Sequence, residues 1–329
     1  MSRFNGQLTR REFLTTAASF ASLPLIASAG EAARPRVLRI SYFCNGEIHV
    51  NEVGKPEGKP LTTGHMDFKP SWSRTGDLLV CFRRIKDDPV TANWKSAIFV
   101  IRTDGAEFHT LSDGTHTDFN PTWTRDGSNS PIWNRKNEKT AGFHVMQSKV
   151  GGTPGEETAI TDGSFHTWAH SCLTDGRILV SSLHPAQGFG LYLLSRKEDA
   201  EPIFERVHCA LPSDGEVHRA SISPSEKRIC FEFLKGHQFT EPGHALYIAD
   251  FDARQRTISN LKAIANADRK PVWFAYPRWI DGESAVIYHS TQTGKGQLYV
   301  YRLEDGSMKR VSTNPQADYR YPHGKAAPC

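Results

Sequence analysis

A phrase of about ten residues recurs along the chain and limits the folds available to it. Residues 66–76 read MDFKPSWSRTG and residues 117–127 read TDFNPTWTRDG, so Asp, Phe, Pro, Trp and a turn Gly return at one register. A short strand-like triplet recurs more widely, at 48–50, 98–100, 144–146, 191–193, 246–248 and 298–300. Six copies at intervals of roughly 45 to 55 residues indicate a repeat architecture.

Each recurrence belongs to a unit of four short strands. Between successive triplets lies a hairpin such as residues 70–82, in which PSWS leads through a Thr-Gly turn into the apolar run LLVCF. Four strands in about 45 residues is the period of a β-propeller blade. The pattern therefore predicts an all-β chain with six blades of four antiparallel strands, in a single domain at residues 30–329.

The two ends of the chain predict how the ring of blades closes. Residues 37–53 contain only the later strands of a unit, whereas residues 318–323, DYRYPH, resemble the start of one. A C-terminal strand beside residues 37–43 would complete the first blade and leave no open sheet edge. We therefore expect the C-terminal strand to join the N-terminal blade.

The first 29 residues have the features of an export signal. RREFL at 10–14 precedes an apolar stretch at 17–27, and ASA at 27–29 offers a small-residue cleavage site. The paired arginines are typical of the twin-arginine route. We predict that residues 1–29 are a twin-arginine signal and that the protein is periplasmic or secreted.

Charge and hydropathy restrict the partners. The whole chain carries a formal charge of +4, and the signal holds three arginines and one glutamate, which leaves +2 for the remainder. Such a small charge gives no reason to expect a nucleic-acid partner. No segment after the signal is apolar enough to cross a bilayer, so we expect no membrane span. We also expect the protein to be a monomer.

The six cysteines all follow the signal and show neither a CxxC pair nor a zinc-type spacing. Most are expected to be core residues, because a protein exported in its folded form does not need disulfides to fold. The ring closure brings the ends of two strands together at Cys44 and Cys329. A Cys44–Cys329 disulfide is therefore predicted, and a Cα separation beyond roughly 7 Å would exclude it.

Histidines gather on one of the two faces of the predicted propeller. Loops that enter the inner strands share a face with loops that join the second and third strands, and we call this the entry face. Ten of the fourteen histidines fall there, together with several arginines and lysines. Positive charge around the centre of the ring suits an anionic ligand, and histidine adds metal binding and proton transfer.

Two histidine-bearing segments depart from the repeat. His170 occupies the register of Pro70 and Pro121 and lies near His166 in FHTWAH, while His218 has no counterpart in the two consensus units. Departures from a repeat are the places where function overrides a structural pattern. His170 and His218 are therefore predicted to be a base or metal ligands, with His166 as a further ligand.

Several kinds of catalytic site are excluded by their missing motifs. The sequence has no Gly-x-Ser-x-Gly elbow, and no second domain remains to carry a hydrolase. It also has neither a Walker loop nor a Rossmann fingerprint. These absences count against a propeller-plus-hydrolase peptidase and against a nucleotide-dependent enzyme.

The phrase Asp-x-x-Pro-x-Trp-Ser/Thr-x-x-Gly, followed by an apolar strand and an Asp-Gly turn, resembles the TolB-type (PD40, WD40-like) repeat. The resemblance covers essentially all of the chain after the signal, and its best copies start at Asp67 and Asp118. It implies a propeller fold and export. Such propellers include partner-binding proteins, peptidase domains and carbohydrate-active enzymes, so the fold alone does not select an activity.

A second resemblance concerns residues 164–176, SFHTWAHSCLTDG, which are similar to the histidine-bearing start of a blade in oligogalacturonate lyases. It implies that entry-face histidines and arginines bind uronate and a divalent metal ion (Mn, Ca or Zn), and that the reaction is β-elimination. The metal-binding His-x-His-Pro phrase of that family would fall at residues 274–277, FAYP, or 319–322, YRYP, where this chain has aromatic residues.

Our leading hypothesis is an exported lyase that cleaves an acidic, uronate-containing saccharide by β-elimination at the entry face. The candidate catalytic residues are His170, His218, Tyr319 and Tyr276. The candidate substrate-binding residues are Arg84, Arg135, Arg219 and His323. The candidate metal ligands are His166, His170 and His218. The alternative is a non-catalytic TolB-like periplasmic propeller that binds a protein or an envelope polymer.

Overall fold

In this computed structural model the sequence units form six small β-sheets, arranged as the blades of a six-bladed β-propeller. The structure describes residues 38–87, 94–140, 142–196, 200–211, 215–235, 244–266 and 272–325. The predicted signal at 1–29 and Cys329 lie outside these residues, so the signal and the Cys44–Cys329 disulfide stay predictions.

Strands make up nearly all of the regular structure in the described ranges. The one helical element there is a 3₁₀ turn at Asp281–Glu283. None of the described residues forms a helix that is long and apolar enough to span a membrane.

The strands follow the order predicted from the repeat. Blade one begins with β1 (Arg39–Cys44) and β2 (Glu47–Glu52). Blade two contains β3 (Met66–Trp72), β4 (Leu78–Asp87), β5 (Trp94–Arg102) and β6 (Phe108–Thr110). Blade three contains β7 (Asp118–Trp123), β8 (Pro131–Lys136), β9 (Phe143–Gln147) and β10 (Thr158–Ala159). Blade four contains β11 (Thr167–Cys172), β12 (Ile178–His184), β13 (Gly188–Ser195) and β14 (Ile203–Arg206).

The last two blades and the C-terminal strand complete the ring. Blade five contains β15 (His208–Cys209), β16 (Gly215–Ile222), β17 (Arg228–Lys235), β18 (His244–Asp252) and β19 (Thr257–Asn266). Blade six contains β20 (Phe274–Ile280), β21 (Ala285–Ser290), β22 (Gln297–Arg302) and β23 (Met308–Arg310). The final strand, β24 (Tyr319–Gly324), pairs antiparallel with β1 of blade one, so the predicted closure is confirmed.

Two blades differ from the expected four antiparallel strands. Blade one has three, because the chain after β2 runs along its edge and makes only isolated contacts, such as Leu61 N donating to Ile48 O (2.6 Å) and Ile48 N donating to the Thr62 hydroxyl (3.1 Å). Blade five has five, because β15 adds to β19 in parallel. The extra pairing extends the outer edge of the blade, where a short strand is free to add.

Fourteen of the 18 residues in the recurrent triplets are buried, because both faces of a blade are covered by neighbouring blades. Ile98, Phe99 and Val100 of β5 are each at most 3% exposed. A strand that is half solvated would alternate apolar and polar residues, whereas a strand covered on both faces reads as a continuous apolar run. The triplet therefore identifies, in the sequence, the strand at the middle of a blade.

In blades two, three and six, a tryptophan near the end of the inner strand joins the blade to the inner strand of the blade before it. The indole N–H of Trp72 donates to the His323 carbonyl (3.0 Å), that of Trp123 to the Ser71 carbonyl (2.8 Å), and that of Trp279 to the Ser221 carbonyl (2.9 Å). A buried indole N–H needs such a partner. This contact between blades explains the tryptophan of the repeated phrase.

Replacement of Tyr319 tests whether the C-terminal strand holds the ring closed. Its side chain is 1% exposed and packs against Tyr42 with ring centroids 5.7 Å apart. Tyr319→Ala should lower the free energy of unfolding by about 3–5 kcal/mol, as for other large aromatic truncations. Urea unfolding would measure this, with Met308→Ala on exposed β23 as the control that changes little; equal effects of the two substitutions would contradict the closure role.

Candidate functional site

All six inner strands have a bulge at the same point. The ladder between inner and second strand shifts register after Phe68, Phe119, Ala169, His218 and Ala275. The sixth inner strand, β24, shows the same irregularity where it pairs with β1, between Ser41 and Phe43. A β-bulge bends the strand and re-aims a side chain, so one residue of each blade leaves the regular pattern.

In five blades the bulge places a non-glycine residue in the left-handed region of the backbone. These residues and their φ values are Lys69 (53°), Asn120 (55°), Arg219 (47°), Tyr276 (56°) and Tyr321 (51°). Four of the five precede a proline. Proline lacks an N–H group and is tolerated in sheets chiefly at edges and bulges, which explains why the repeated phrase contains it.

The bulged residues converge on a cavity at the hub of the propeller, which we call the hub cavity. It is lined by all five left-handed residues, together with His170 of blade four, Arg278 and His323. The cavity volume is about 30 Å³. This exceeds the volume that a single water needs, and it suits a small polar group such as a carboxylate.

One buried ion pair anchors the site. The Arg219 Nη1 atom donates to Glu232 Oε2 at 2.5 Å, and His244 Nδ1 lies 3.0 Å from Glu232 Oε1. Glu232 is fully buried. Burial alone would raise the pKa of its carboxyl group, but the Arg219 guanidinium and the His244 hydrogen bond outweigh that effect and hold the pKa at about 2. Glu232 is therefore ionised and neutralises Arg219.

Two further basic side chains, those of Lys69 and Arg278, line the hub cavity. Arg278 donates from Nη1 to the backbone carbonyls of Pro277 (3.1 Å) and Arg219 (3.3 Å). The Lys69 ammonium nitrogen lies 4.1 Å from the centroid of the Tyr276 ring. Within the described ranges, neither Lys69 nor Arg278 forms an ion pair with a carboxylate. Burial lowers the pKa of both groups, and for Lys69 the guanidiniums of Arg219 and Arg278 add to the effect.

The two histidines of the hub cavity are held neutral. The Ser181 hydroxyl donates to the Val217 carbonyl (2.8 Å), so His170 Nε2 must donate to Ser181 Oγ (2.7 Å), which leaves Nδ1 as the basic nitrogen. His323 Nδ1 donates to the Gly324 carbonyl (3.0 Å). Burial, reinforced by nearby cations, lowers the pKa of His170 well below its ordinary value and that of His323 to about 3.

The structure brings four of the predicted site residues together. His170, Arg219, Tyr276 and His323 all line the hub cavity. Arg219 Cζ lies 4.5 Å from the Tyr276 ring centroid, and burial raises the pKa of the Tyr276 hydroxyl. Tyr276 is therefore a neutral phenol, able to donate a proton or a hydrogen bond.

Five of the predicted residues do not line the hub cavity, namely Arg84, Arg135, Tyr319, His166 and His218. Arg135 is buried in a double ion pair, with its guanidinium 2.8 Å from a carboxylate oxygen of Asp118 and 2.8 Å from one of Glu157. Arg84 Cζ lies 5.3 Å from each of two ring centroids, those of Phe68 and Trp94. Tyr319 belongs to the apolar core around β1 and β24. These placements give Arg135 and Tyr319 structural partners rather than a place in the cavity.

The three histidines predicted as metal ligands do not converge. His166 and His218 both contact Trp168, each with ring centroids 5.5 Å from it. His218 Nε2 lies 2.8 Å from Glu216 Oε2, and His170 Nε2 is bonded to Ser181. Among the residues that the structure describes, no group of three His, Cys, Asp or Glu side chains could hold a metal ion. The metal site predicted at these histidines therefore stays a prediction.

Sequence reasoning missed Lys69, Asn120, Arg278 and Tyr321 as cavity residues. Lys69 and Asn120 occupy the variable position of the phrase Asp-Phe-x-Pro, which otherwise repeats closely. That variable position is the bulged residue. The variable residue of the repeated phrase was therefore the signal that could have revealed these cavity residues. The constant positions of the phrase build the blade, and the variable position faces the hub.

The comparisons with known proteins agree on the fold. No protein-family model matches the chain, and no curated protein matches its sequence. The solved structure of TolB from Acinetobacter baumannii superposes with a TM-score of 0.63 at 12% identity, over 88% of this chain and 66% of that one. A puromycin-hydrolyzing peptidase from Mycobacterium tuberculosis gives a TM-score of 0.51 at 14% identity, over 82% of this chain and 42% of that one.

These matches confirm the predicted TolB-type resemblance for the fold. The chain spans only 66% of the TolB structure and 42% of the peptidase structure. An oligogalacturonate lyase in complex with manganese also matches, with a TM-score of 0.42 at 10% identity, over 84% of this chain and 72% of that one. A TM-score this low does not bear on the activity of this chain. The fold and the hub cavity thus define a TolB-like six-bladed propeller with a cationic centre.

Removal of the Glu232 charge should destabilise the protein and change its response to acid. Glu232→Gln leaves Arg219 buried without its counter-charge, which should cost about 3–5 kcal/mol near neutral pH. The folded-state pKa of about 2 lies below the ordinary 4.5, so the wild-type pair stabilises fully above pH 4.5 and loses roughly 3 kcal/mol as the pH falls towards 2.

Urea unfolding between pH 7 and pH 3 would measure both effects. The Glu232→Gln variant should lack the part of the acid sensitivity that comes from this pair. Asp104→Asn, at an exposed ion pair with Arg102, is the matched control and should behave like the wild type. An unchanged acid slope in Glu232→Gln would contradict the assigned charge state.

Proposed function

We propose that this protein binds the carboxylate group of an acidic, uronate-containing saccharide in the hub cavity and cleaves the saccharide by β-elimination. One observation carries the proposal. Arg219 and Arg278 line the same small cavity; Arg219 is paired with Glu232, whereas Arg278 forms no ion pair with a carboxylate within the described ranges. Positive charge buried without a counter-charge is costly, and a bound carboxylate would remove that cost.

The size of the cavity supports a ligand that inserts only its acid group. A volume of about 30 Å³ accommodates a carboxylate but not a sugar ring. The ring and the rest of the saccharide would therefore lie at the mouth of the cavity on the entry face. A uronate, whose carboxylate projects from the ring, meets this requirement.

The residues that line the cavity supply the groups that elimination needs. Arg219 and Arg278 would neutralise the carboxylate, which makes the hydrogen on the adjacent carbon more acidic. His170 Nδ1, the basic nitrogen of a neutral ring, would take that proton. As the C–H bond breaks and a C=C bond forms, the C–O bond to the leaving group breaks, and the neutral Tyr276 hydroxyl would protonate the departing oxygen. No step passes through a metal ion.

The same proposal places the protein in the periplasm or outside the cell. Its support is the ordered set of export features at residues 1–29. Cell fractionation tests it, since recovery of only the unprocessed chain, in the cytosol, would contradict export.

A substrate screen tests the activity directly. Pectic, alginate and glycosaminoglycan polysaccharides would be incubated with the protein, with and without divalent metal, and the ultraviolet absorbance of unsaturated uronate would be followed. We expect an absorbance gain with at least one of them, and a loss of about 100-fold or more in kcat/KM for Arg278→Met, because charge stabilisation in the transition state is removed. Arg102→Met, on the opposite face, is the matched control.

Two results would contradict the proposal. One is no absorbance gain with any uronate polysaccharide, and the other is equal activity of Arg278→Met and Arg102→Met. Saturable binding of a uronate polymer without absorbance gain would instead support the alternative, a propeller that binds an envelope polymer through the same cavity.

A further inference from the structure

Lys69 has a position that the proposed elimination does not use. Its backbone is left-handed at the bulge of β3, with φ 53°. From blade two its side chain reaches the aromatic residues of two other blades, with Nζ 5.7 Å from the Tyr321 ring centroid and 4.1 Å from that of Tyr276. The bulge that recurs in the inner strands thus aims a long basic side chain across the hub at this position.

The charges around Lys69 favour its neutral amine. Arg219 and Arg278 face it from blades five and six, and Glu232, the nearby carboxylate, is already paired with Arg219. Burial and the two guanidiniums lower the pKa of Lys69. The two tyrosine faces act in the opposite direction, because a ring face attracts the charged ammonium. The other titratable groups of the cavity, His170 and His323, are neutral and add no negative charge.

We propose that Lys69 is a nucleophilic amine that forms an imine with a ligand carrying a carbonyl group next to a carboxylate, that is, a 2-oxo acid. The carboxylate would bind to Arg219 and Arg278, as a uronate carboxylate does in the proposed function. The carbonyl carbon would then lie beside the Lys69 amine. Lysines that are desolvated, or that lie next to another cation, are the ones that proteins use for this chemistry.

The covalent step balances without an external oxidant or reductant. The lone pair of Lys69 Nζ attacks the carbonyl carbon, and the carbonyl oxygen takes up a proton to give a carbinolamine. Loss of that oxygen as water, with the two amine hydrogens leaving as protons, produces a C=N bond between Nζ and the ligand. The Tyr276 hydroxyl, kept protonated by burial, is placed to donate a proton to the departing oxygen.

The inference shares the carboxylate site with the proposed function but not the elimination reaction. A protein with no lyase activity could still form the imine, and a lyase could work without it. Failure of the polysaccharide screen therefore leaves this inference open to its own test, and failure of the test below leaves the elimination in place.

Reductive trapping tests the inference on the folded wild-type protein. The protein would be incubated at pH 7 with glyoxylate, the smallest 2-oxo acid, and cyanoborohydride, which reduces an imine to a stable secondary amine. Peptide mass mapping would then give the labelled fraction of each lysine. We expect Lys69 to be labelled at least about 10-fold faster than the exposed Lys55 and Lys309, since each unit of lowered pKa gives about 10-fold more free amine.

Two controls separate the parts of the claim. Arg278→Met, confirmed as folded by its melting temperature, should bring glyoxylate labelling of Lys69 down to about the level of Lys55, because both the carboxylate partner and the neighbouring charge are removed. Formaldehyde, which has no carboxylate, should label Lys69 less selectively than glyoxylate does in the wild type.

Three outcomes would overturn the inference. Glyoxylate labelling of Lys69 no faster than that of Lys55 would show a charged or inaccessible ammonium that only packs on the tyrosines. Equal selectivity for formaldehyde and glyoxylate would show a reactive amine without carboxylate recognition. Glyoxylate labelling of Lys69 that is unchanged in Arg278→Met would show that the Arg278 guanidinium takes no part in the site.

Discussion

The bulge in the inner strands is the constraint on which the hub cavity depends. A regular strand sends alternate side chains to its two faces, and in a propeller those faces are covered by the neighbouring blades. The bulge turns one residue per blade towards the hub instead. Left-handed backbone costs a non-glycine residue about 1–2 kcal/mol, so five such residues cost about as much as the net stability of a typical domain. The tryptophan contacts between blades and the ladders on either side must hold this conformation.

The distribution of charge separates the building parts of the propeller from its centre. Away from the hub, acid and base are matched within a blade, as in Arg83 with Asp67 (2.7 Å) and Arg135 with Asp118 (2.8 Å). At the hub the guanidiniums of Arg219 and Arg278 line one cavity, and Arg278 has no carboxylate partner among the described residues. Charges that are paired within the blades, with excess positive charge at the centre, are the arrangement expected of a site that binds an anion. The net charge of the chain, which is small, gives no indication of this.

The repeat made the fold predictable from the sequence, because blade number, closure and the role of the triplets all follow from strand periodicity. The site was only partly predictable. Tyr276 and His170 were found through the resemblance and through departure from the repeat. Arg135 and Tyr319 were proposed for the site, but pairing with Asp118 and packing beside Tyr42 place them in the structure of the blades. These ion-pair and packing partners are brought together by the tertiary structure, so the sequence alone does not reveal them. Lys69 was missed because it lies inside the repeated phrase. The other positions of the phrase build the blade, and the sequence alone does not show that this one position faces the hub.

Both the proposed elimination and the proposed imine require that the hub cavity recognises a carboxylate. Titration calorimetry with galacturonate and with galactose compares two ligands that differ only in that group. We predict saturable binding of galacturonate that weakens with added salt, no measurable binding of galactose, and loss of galacturonate binding in Arg278→Met. Equal binding of the two sugars, or galacturonate binding that Arg278→Met leaves unchanged, would contradict the account.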